Sequence, residues 1–218
     1  VAVVGPSGAG KSSFVQAGVL PALGEQWQSL VVRPGNTPLQ NLCAKLAGAG
    51  VTVDPDQLRT NPALLAQALR SHIAALDGKS REGVANAPAS AASRRILVVV
   101  DQFEELFTMC LDAGEQRAYA EALTQIGRRT GDEDPSTIPV RVVITMRDDF
   151  LVRAAQLPAL RDAISANLQI LTTPVEADLL RILTEPARRA GFRFEDDGLP
   201  KEMVAEVEGQ PAALALLS

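Results

Sequence analysis

A run of small residues, Gly5-Pro-Ser-Gly-Ala-Gly10-Lys11-Ser12, stands between the apolar stretch Val1–Val4 and a helix-forming segment, Lys11 to Ala17. Few backbones satisfy that order. A short strand must end, the chain must turn through conformations that side chains resist, and a helix must begin at once. The glycines permit this because they enter positive φ without a Cβ clash. The run matches G-x-x-x-x-G-K-S/T at every fixed position. In a strand-loop-helix setting, that spacing points backbone N–H groups and the helix N-terminus at one anion. It predicts a phosphate cradle made of Gly5, Pro6, Ser7, Gly8, Ala9, Gly10, Lys11, Ser12 and Ser13. Lys11 is expected to reach the β- and γ-phosphates of a nucleotide, and the Ser12 hydroxyl to ligate Mg²⁺.

The 218 residues suffice for one sizeable α/β domain with a small appendage. Because the sequence begins at Val1 and stops inside an Ala/Leu run, we read it as part of a larger protein. Its formal net charge of −5 gives no electrostatic case for nucleic acid, whose binders carry a basic domain or stripe. Cys43 and Cys110 lie far apart without metal-ligand spacing, so buried free thiols in a reducing cytoplasm are expected. No apolar run is long enough to span a bilayer.

Strand-like runs fall at Val1–Val4, Leu30–Arg33, Ile96–Val100, Arg141–Met146 and Leu168–Leu171, with helical patterns between most of them. The alternation predicts a parallel sheet with helices on both faces. Ile96–Val100 is apolar at every position, as a strand buried on both sides must be, and is expected beside the strand of the phosphate loop. One helix is expected near Leu39–Gly48. A second follows Asn61-Pro62 and carries Leu64, Leu65, Leu69, Ile73 and Leu76, with the lone His72 as a structural residue beside that stripe. Gly78–Arg95 is small, polar and aperiodic, the pattern of a surface loop. Glu115–Arg129 predicts a further helix, and Gly131–Ser136 a turn. Beyond Leu171 the pattern is helical. Thr173-Pro174-Val175-Glu176 predicts a capping box opening a helix that Pro186 kinks or breaks, and a last helix is expected over about Pro200–Glu208. The expected division is a core over residues 1–172 and a helical lid over 173–218.

A phosphate cradle alone does not name a reaction. Asp101 directly follows the buried strand Ile96–Val100, where a carboxylate can hold the Mg²⁺ shell. Hydrolysis also needs an acceptor that orients water. Many additional-strand ATPases place a Glu immediately after the Asp, whereas this chain has Gln102, so Glu104 or Glu105 is the expected substitute. Phe103, Leu106 and Phe107 read as core. Arg147 ends the run Arg141–Met146 and brings a cation to the same sheet edge. It is expected to sense the γ-phosphate, the competing role being a plain ion pair with Asp148 or Glu105.

Gly5–Ser13, Val99-Val-Asp-Gln-Phe-Glu-Glu-Leu-Phe107, Thr145-Met-Arg-Asp-Asp-Phe-Leu151 and Gly209-Gln-Pro211, in this order, resemble the STAND class of P-loop NTPases, relatives of NACHT and NB-ARC domains, and most closely its novel-STAND subgroup. The resemblance covers almost the whole chain. It implies an additional-strand P-loop fold with a helical lid, Mg²⁺ and ATP or ADP as ligands, and a switch that hydrolyses slowly. It further implies self-association in the ATP form, sensor and effector domains in the same chain, and contact of Pro211 with the nucleotide from the lid. Two rivals are weighed against it: a nucleotide-gated scaffold without turnover, which Gln102 favours, and a nucleotide kinase, since the loop also looks like that of guanylate kinases. Against the kinase, no acceptor-nucleotide domain or Arg-rich lid is legible.

Overall fold

The computed structural model describes residues 1–82, 94–127, 139–196, 198–207 and 213–217. Five strands, β1 (Ala2–Gly5), β2 (Trp27–Val32), β3 (Arg95–Val100), β4 (Val140–Arg147) and β5 (Leu168–Ile170), form one parallel sheet in the order β2-β3-β4-β1-β5. Each predicted run became a strand. The expected pairing of β1 with β3 is not formed: β4 lies between them. Continuous apolarity reports burial on both faces, which any interior strand shares, so it could not choose between these positions.

Side chains alternate across the sheet as a period of two requires. Ala2, Val4, Leu30, Val32, Ile96, Val98 and Val100 enter one apolar cluster, whereas Val3, Leu97 and Val99 enter another on the opposite face. The larger cluster is completed by helices α2 (Pro38–Ala47), α3 (Pro55–Thr60), α4 (Ala63–Glu82), α6 (Ala113–Ile126) and α8 (Pro158–Ala166). Leu42, Leu46, Leu65 and Leu69 are fully buried there, each contributing about 1.5–3 kcal/mol. The smaller cluster is covered by α1 (Lys11–Ser13) and its helical continuation, π-type over Phe14–Val19 and 3₁₀ over Leu20–Ala22, through the fully buried Val15.

Local signals explain the starts of several helices. Asp54 caps α3 by accepting from the N–H groups of Asp56 (3.0 Å) and Gln57 (2.9 Å), and Asp112 caps α6 at Gly114 (2.7 Å) and Glu115 (3.1 Å). The short helices α5 (Glu105–Thr108) and α7 (Leu151–Ala155) add Leu106, Phe107 and Ala154 to the larger cluster. Helix α4 runs through Glu82 although a loop was expected from Gly78. Nothing lies within 4 Å of where a Gly78 Cβ would be, so this glycine costs only its propensity, about 1 kcal/mol. His72 is half-buried on α4, against Gly50. Cys43 and Cys110 are buried and free, and burial raises the Cys43 thiol to about 11. Most of the expected loop after Gly78, the turn Gly131–Ser136, Gly209 and Pro211 lie outside the described residues.

The C-terminal part holds α9 (Glu176–Arg189), α10 (Leu199–Val207) and α11 (Ala213–Leu216). Leu179, Val204 and Val207 form a separate apolar cluster there, with Leu180, Leu183, Leu214 and Leu217 packed against it. The expected capping box is not formed. Helix α9 begins at Glu176 after Val175, which supplies no side-chain cap, because Thr172–Val175 continues from β5 along the cleft described below. Pro186 lies inside α9 without ending it; the helix stops at Arg189, and Gly191 takes the left-handed conformation (φ 80°) that terminates helices. Among the described residues no helix is long and apolar enough to cross a membrane.

Candidate functional site

The carboxyl ends of β1, β3 and β4 meet at the loop Gly5–Ser12. Gly8 (φ 77°) and Gly10 (φ 79°) both occupy the left-handed region, so the loop curls as its sequence anticipates. A Cβ on Gly5 would come 2.2 Å from the Leu171 carbonyl oxygen, which excludes any other residue at that crossing. The Lys11 ammonium is folded into the loop and donates to the carbonyls of Gly5 (2.8 Å) and Pro6 (2.7 Å). Burial lowers its pKa below the ordinary lysine value, and Glu104 is the strongest of the carboxylates opposing that shift.

The centre of the site is Asp101, whose side chain is 2% exposed. The Ser12 hydroxyl donates to its Oδ1 at 2.6 Å and the Thr145 hydroxyl to the same oxygen at 2.7 Å, while an Arg33 guanidinium nitrogen reaches Oδ2 at 3.3 Å. Thr145 also accepts from the Gln102 N–H (3.0 Å), and its own carbonyl accepts from the Phe103 N–H (2.8 Å). Gln102 is the one described non-glycine residue with positive φ, 54°. The chain therefore turns sharply just after Asp101 and is tied to β4 across that turn.

This turn separates the two glutamates that the sequence left equivalent. Glu104 lines the cleft and its Oε2 accepts from the Arg147 N–H (3.3 Å). Glu105 points to the end of β2, where its Oε2 accepts from the Gly35 N–H (3.1 Å). Phe103, Leu106 and Phe107 are buried, as expected of core residues. Arg147 lines the cleft and pairs with neither Asp148 nor Glu105. Its Nε and a terminal nitrogen grip Asp149 at 3.0 and 2.6 Å, and the guanidinium lies 5.6 Å from the Phe150 ring centre.

These groups line a cleft of about 1260 Å³. Its floor is the loop from Ser7 to Phe14, with Gln102, Glu104, Thr145 and Arg147 along one side. The far wall is Leu171–Val175 with α9. That wall mixes apolar side chains, the exposed Ile170, Val175 and Ile182, with Arg181 and Arg189. Arg188 and Arg189 pair with Glu185 and hold its carboxyl down at about 2. Leu214 of α11 approaches from the C-terminal part: a Cβ on Gly10 would lie 3.0 Å from its Cδ1.

Two members of the cluster were not singled out from the sequence. Arg33 was counted as the end of a strand, and Thr145 as part of an apolar run. A polar residue near the carboxyl end of one strand and an arginine just after another were the available signals, since open α/β sheets gather ligands at those ends.

The comparisons agree with this architecture. A solved structure of the ORC2 protein of Aeropyrum pernix, described as ADPNP–ADP complexes, superposes with a TM-score of 0.50 at 16% identity over 99% of this chain. The chain spans 54% of that structure's chain, and the likeness at this identity is one of fold. No curated protein matches the sequence. A family model for novel STAND NTPase 1 matches residues 1–218, and together with the P-loop fold this makes the chain a nucleotide-binding NTPase module that belongs to the novel STAND NTPase 1 family.

Proposed function

We propose that this module binds ATP with Mg²⁺, hydrolyses it slowly, and serves as a signalling switch within a larger cytoplasmic protein. One observation carries the reading: the Ser12 and Thr145 hydroxyls converge on the buried Asp101 carboxylate beside a glycine loop curled around the Lys11 ammonium. Ser12 and Asp101 suit Mg²⁺, which takes one or two protein oxygens and completes its shell with phosphates and water. Among the described residues there is no cluster of three or more His, Cys, Asp or Glu that would suggest an all-protein cage. Held by Ser12 and Asp101, the ion would supply positive charge against the phosphates of the nucleotide.

The chain's own groups divide the remaining work. Lys11 exchanges the Gly5 and Pro6 carbonyls for phosphate oxygens. Glu104, facing the cleft, orients the attacking water, while Glu105, turned toward Gly35, takes no part in the chemical step. Arg147 trades Asp149 for the γ-phosphate, so the same guanidinium reports which nucleotide is present. Residues 1–172 act as the core and 173–218 as the lid, with Pro211 meeting the nucleotide from the lid side. The separate apolar cluster around Leu179 and Val204 supports that division. Moving a closed form from 99% to 1% needs about 5.5 kcal/mol of differential binding. Two charge-assisted bonds from Lys11 and Arg147, at about 1.5–3 kcal/mol each, are of that order. Self-association of the ATP form, and sensor and effector domains beside the module, complete the proposal.

The test is turnover of Mg·ATP alone and with GMP as acceptor, alongside calorimetric binding to the parental protein and Lys11→Ala. Inorganic phosphate is the expected product, with binding lost in the variant. GDP would establish a kinase. Binding without turnover would establish a nucleotide-gated scaffold, the reading that Gln102 favours. Unchanged affinity in Lys11→Ala would overturn the nucleotide site itself.

A further inference from the structure

Asp101 is held from a direction that the phosphate loop does not explain. Oδ1 is shared by the Ser12 and Thr145 hydroxyls, and Oδ2 is held at 3.3 Å by Arg33, whose side chain is 56% exposed. The guanidinium therefore reaches inward from solvent at the end of β2 to a carboxylate that is itself buried. The next residues extend the grip. The Pro34 carbonyl accepts from Asn41 Nδ2 of α2 (2.8 Å), and the Gly35 N–H donates to Glu105 (3.1 Å). Gly35 has φ 62°, and a Cβ there would come 2.7 Å from Asn41 Nδ2. One turn, residues 33–35, thus holds a carboxylate at each end of Asp101–Glu105 and is fastened to α2.

A buried carboxylate without a counter-charge is unstable, and Arg33 provides one. The same positive charge opposes any second cation that needs Asp101. A half-exposed arginine can withdraw into water at little cost, which a buried one could not. Resting on the nucleotide reading above, we propose that Arg33 is a positioning residue that holds Asp101 while the site is empty and releases Oδ2 when Mg·nucleotide enters. Occupancy is thereby coupled to the turn 33–35 and, through Gly35, to Glu105.

The experiment titrates Mg²⁺ into the protein at saturating ADP by calorimetry, measures ADP binding in EDTA, and follows hydrogen exchange at the Gly35 amide with and without Mg·ADP. Arg33→Gln should reach half-saturation at about two- to fivefold lower Mg²⁺, because an ion pair with a half-exposed arginine no longer has to be broken. Its metal-free ADP affinity should stay within about twofold of the parent, and Arg33→Lys should need a Mg²⁺ concentration close to the parental one. In the parental protein, Gly35 exchange should quicken on adding Mg·ADP. An equal or higher Mg²⁺ requirement in Arg33→Gln overturns the inference while leaving the nucleotide site standing. Should that variant fail to fold, unchanged Gly35 exchange in the parental protein overturns it equally. A parental protein that binds no Mg·ADP overturns the nucleotide reading, and the inference with it.

Discussion

Replacing Thr145 by valine keeps the shape and β-branching of a buried strand residue and removes only the hydroxyl that joins β3 to β4. Two hydrogen bonds are lost. One, at 2.7 Å, ends on the buried Asp101 carboxylate, and bonds to ionised groups are worth about 1.5–3 kcal/mol. The other leaves the Gln102 N–H without the acceptor it has at 3.0 Å, a further ~0.5–1.5 kcal/mol. Burying a methyl group in place of the hydroxyl returns about 0.8 kcal/mol. Thr145→Val should therefore lose about 2–3 kcal/mol of stability in urea unfolding of the nucleotide-free protein. Thr145→Ser, which keeps both bonds and loses one methyl, should lose only about 1 kcal/mol. The two variants pull in opposite directions if packing rather than hydrogen bonding dominates at this position. A valine variant as stable as the serine variant would refute the view that Thr145 ties Asp101 and Gln102 together.

Gln102→Gly removes the strain of a positive φ, and at 54° should stabilise the fold by about 0.5–1 kcal/mol; a loss of stability would mean that the Gln102 side chain contributes more than its backbone costs. The Tyr119 hydroxyl is buried with no partner among the described residues, and burial also pushes its ionisation well above the usual tyrosine range. Tyr119→Phe should gain about 1 kcal/mol in thermal unfolding, whereas a comparable loss would reveal that the hydroxyl is satisfied. Glu104→Gln should abolish phosphate release with ATP binding retained, and Glu105→Gln should retain measurable release; the reverse order in a phosphate assay would exchange their roles.

What the sequence disclosed was whatever leaves a local trace. Uninterrupted apolarity marked β3 as interior, and glycines at fixed spacing marked the loop, because both constraints act within a few residues. Strand neighbours were hidden, since β3 is buried on both faces beside β4 as it would be beside β1. Glu104 and Glu105 could not be told apart from their own surroundings: their directions are set by Arg147 on β4 and Gly35 after β2, both distant in the chain. Thr173–Glu176 has the composition of a capping box, yet Thr173–Val175 lines the cleft and the helix starts only at Glu176 after an extended Val175, a tertiary demand that outweighs about 1 kcal/mol of capping. The ion pair of Arg33 with Asp101 likewise exists only once β2 and β3 are paired in register, with Val32 opposite Val100.

The helical stretch that starts with Lys11 and Ser12 is also the one that seals the smaller apolar cluster, through Val15 against Val3, Leu97 and Val99. Its anchoring and its chemistry are inseparable along the backbone. A saturation mutagenesis screen scored only on nucleotide retention should return two interleaved sets of positions, the loop itself and a hydrophobic set on the far side of the sheet. Substitutions at Val15 that leave the fold intact would then imitate damage to the phosphate site from a position that faces away from it.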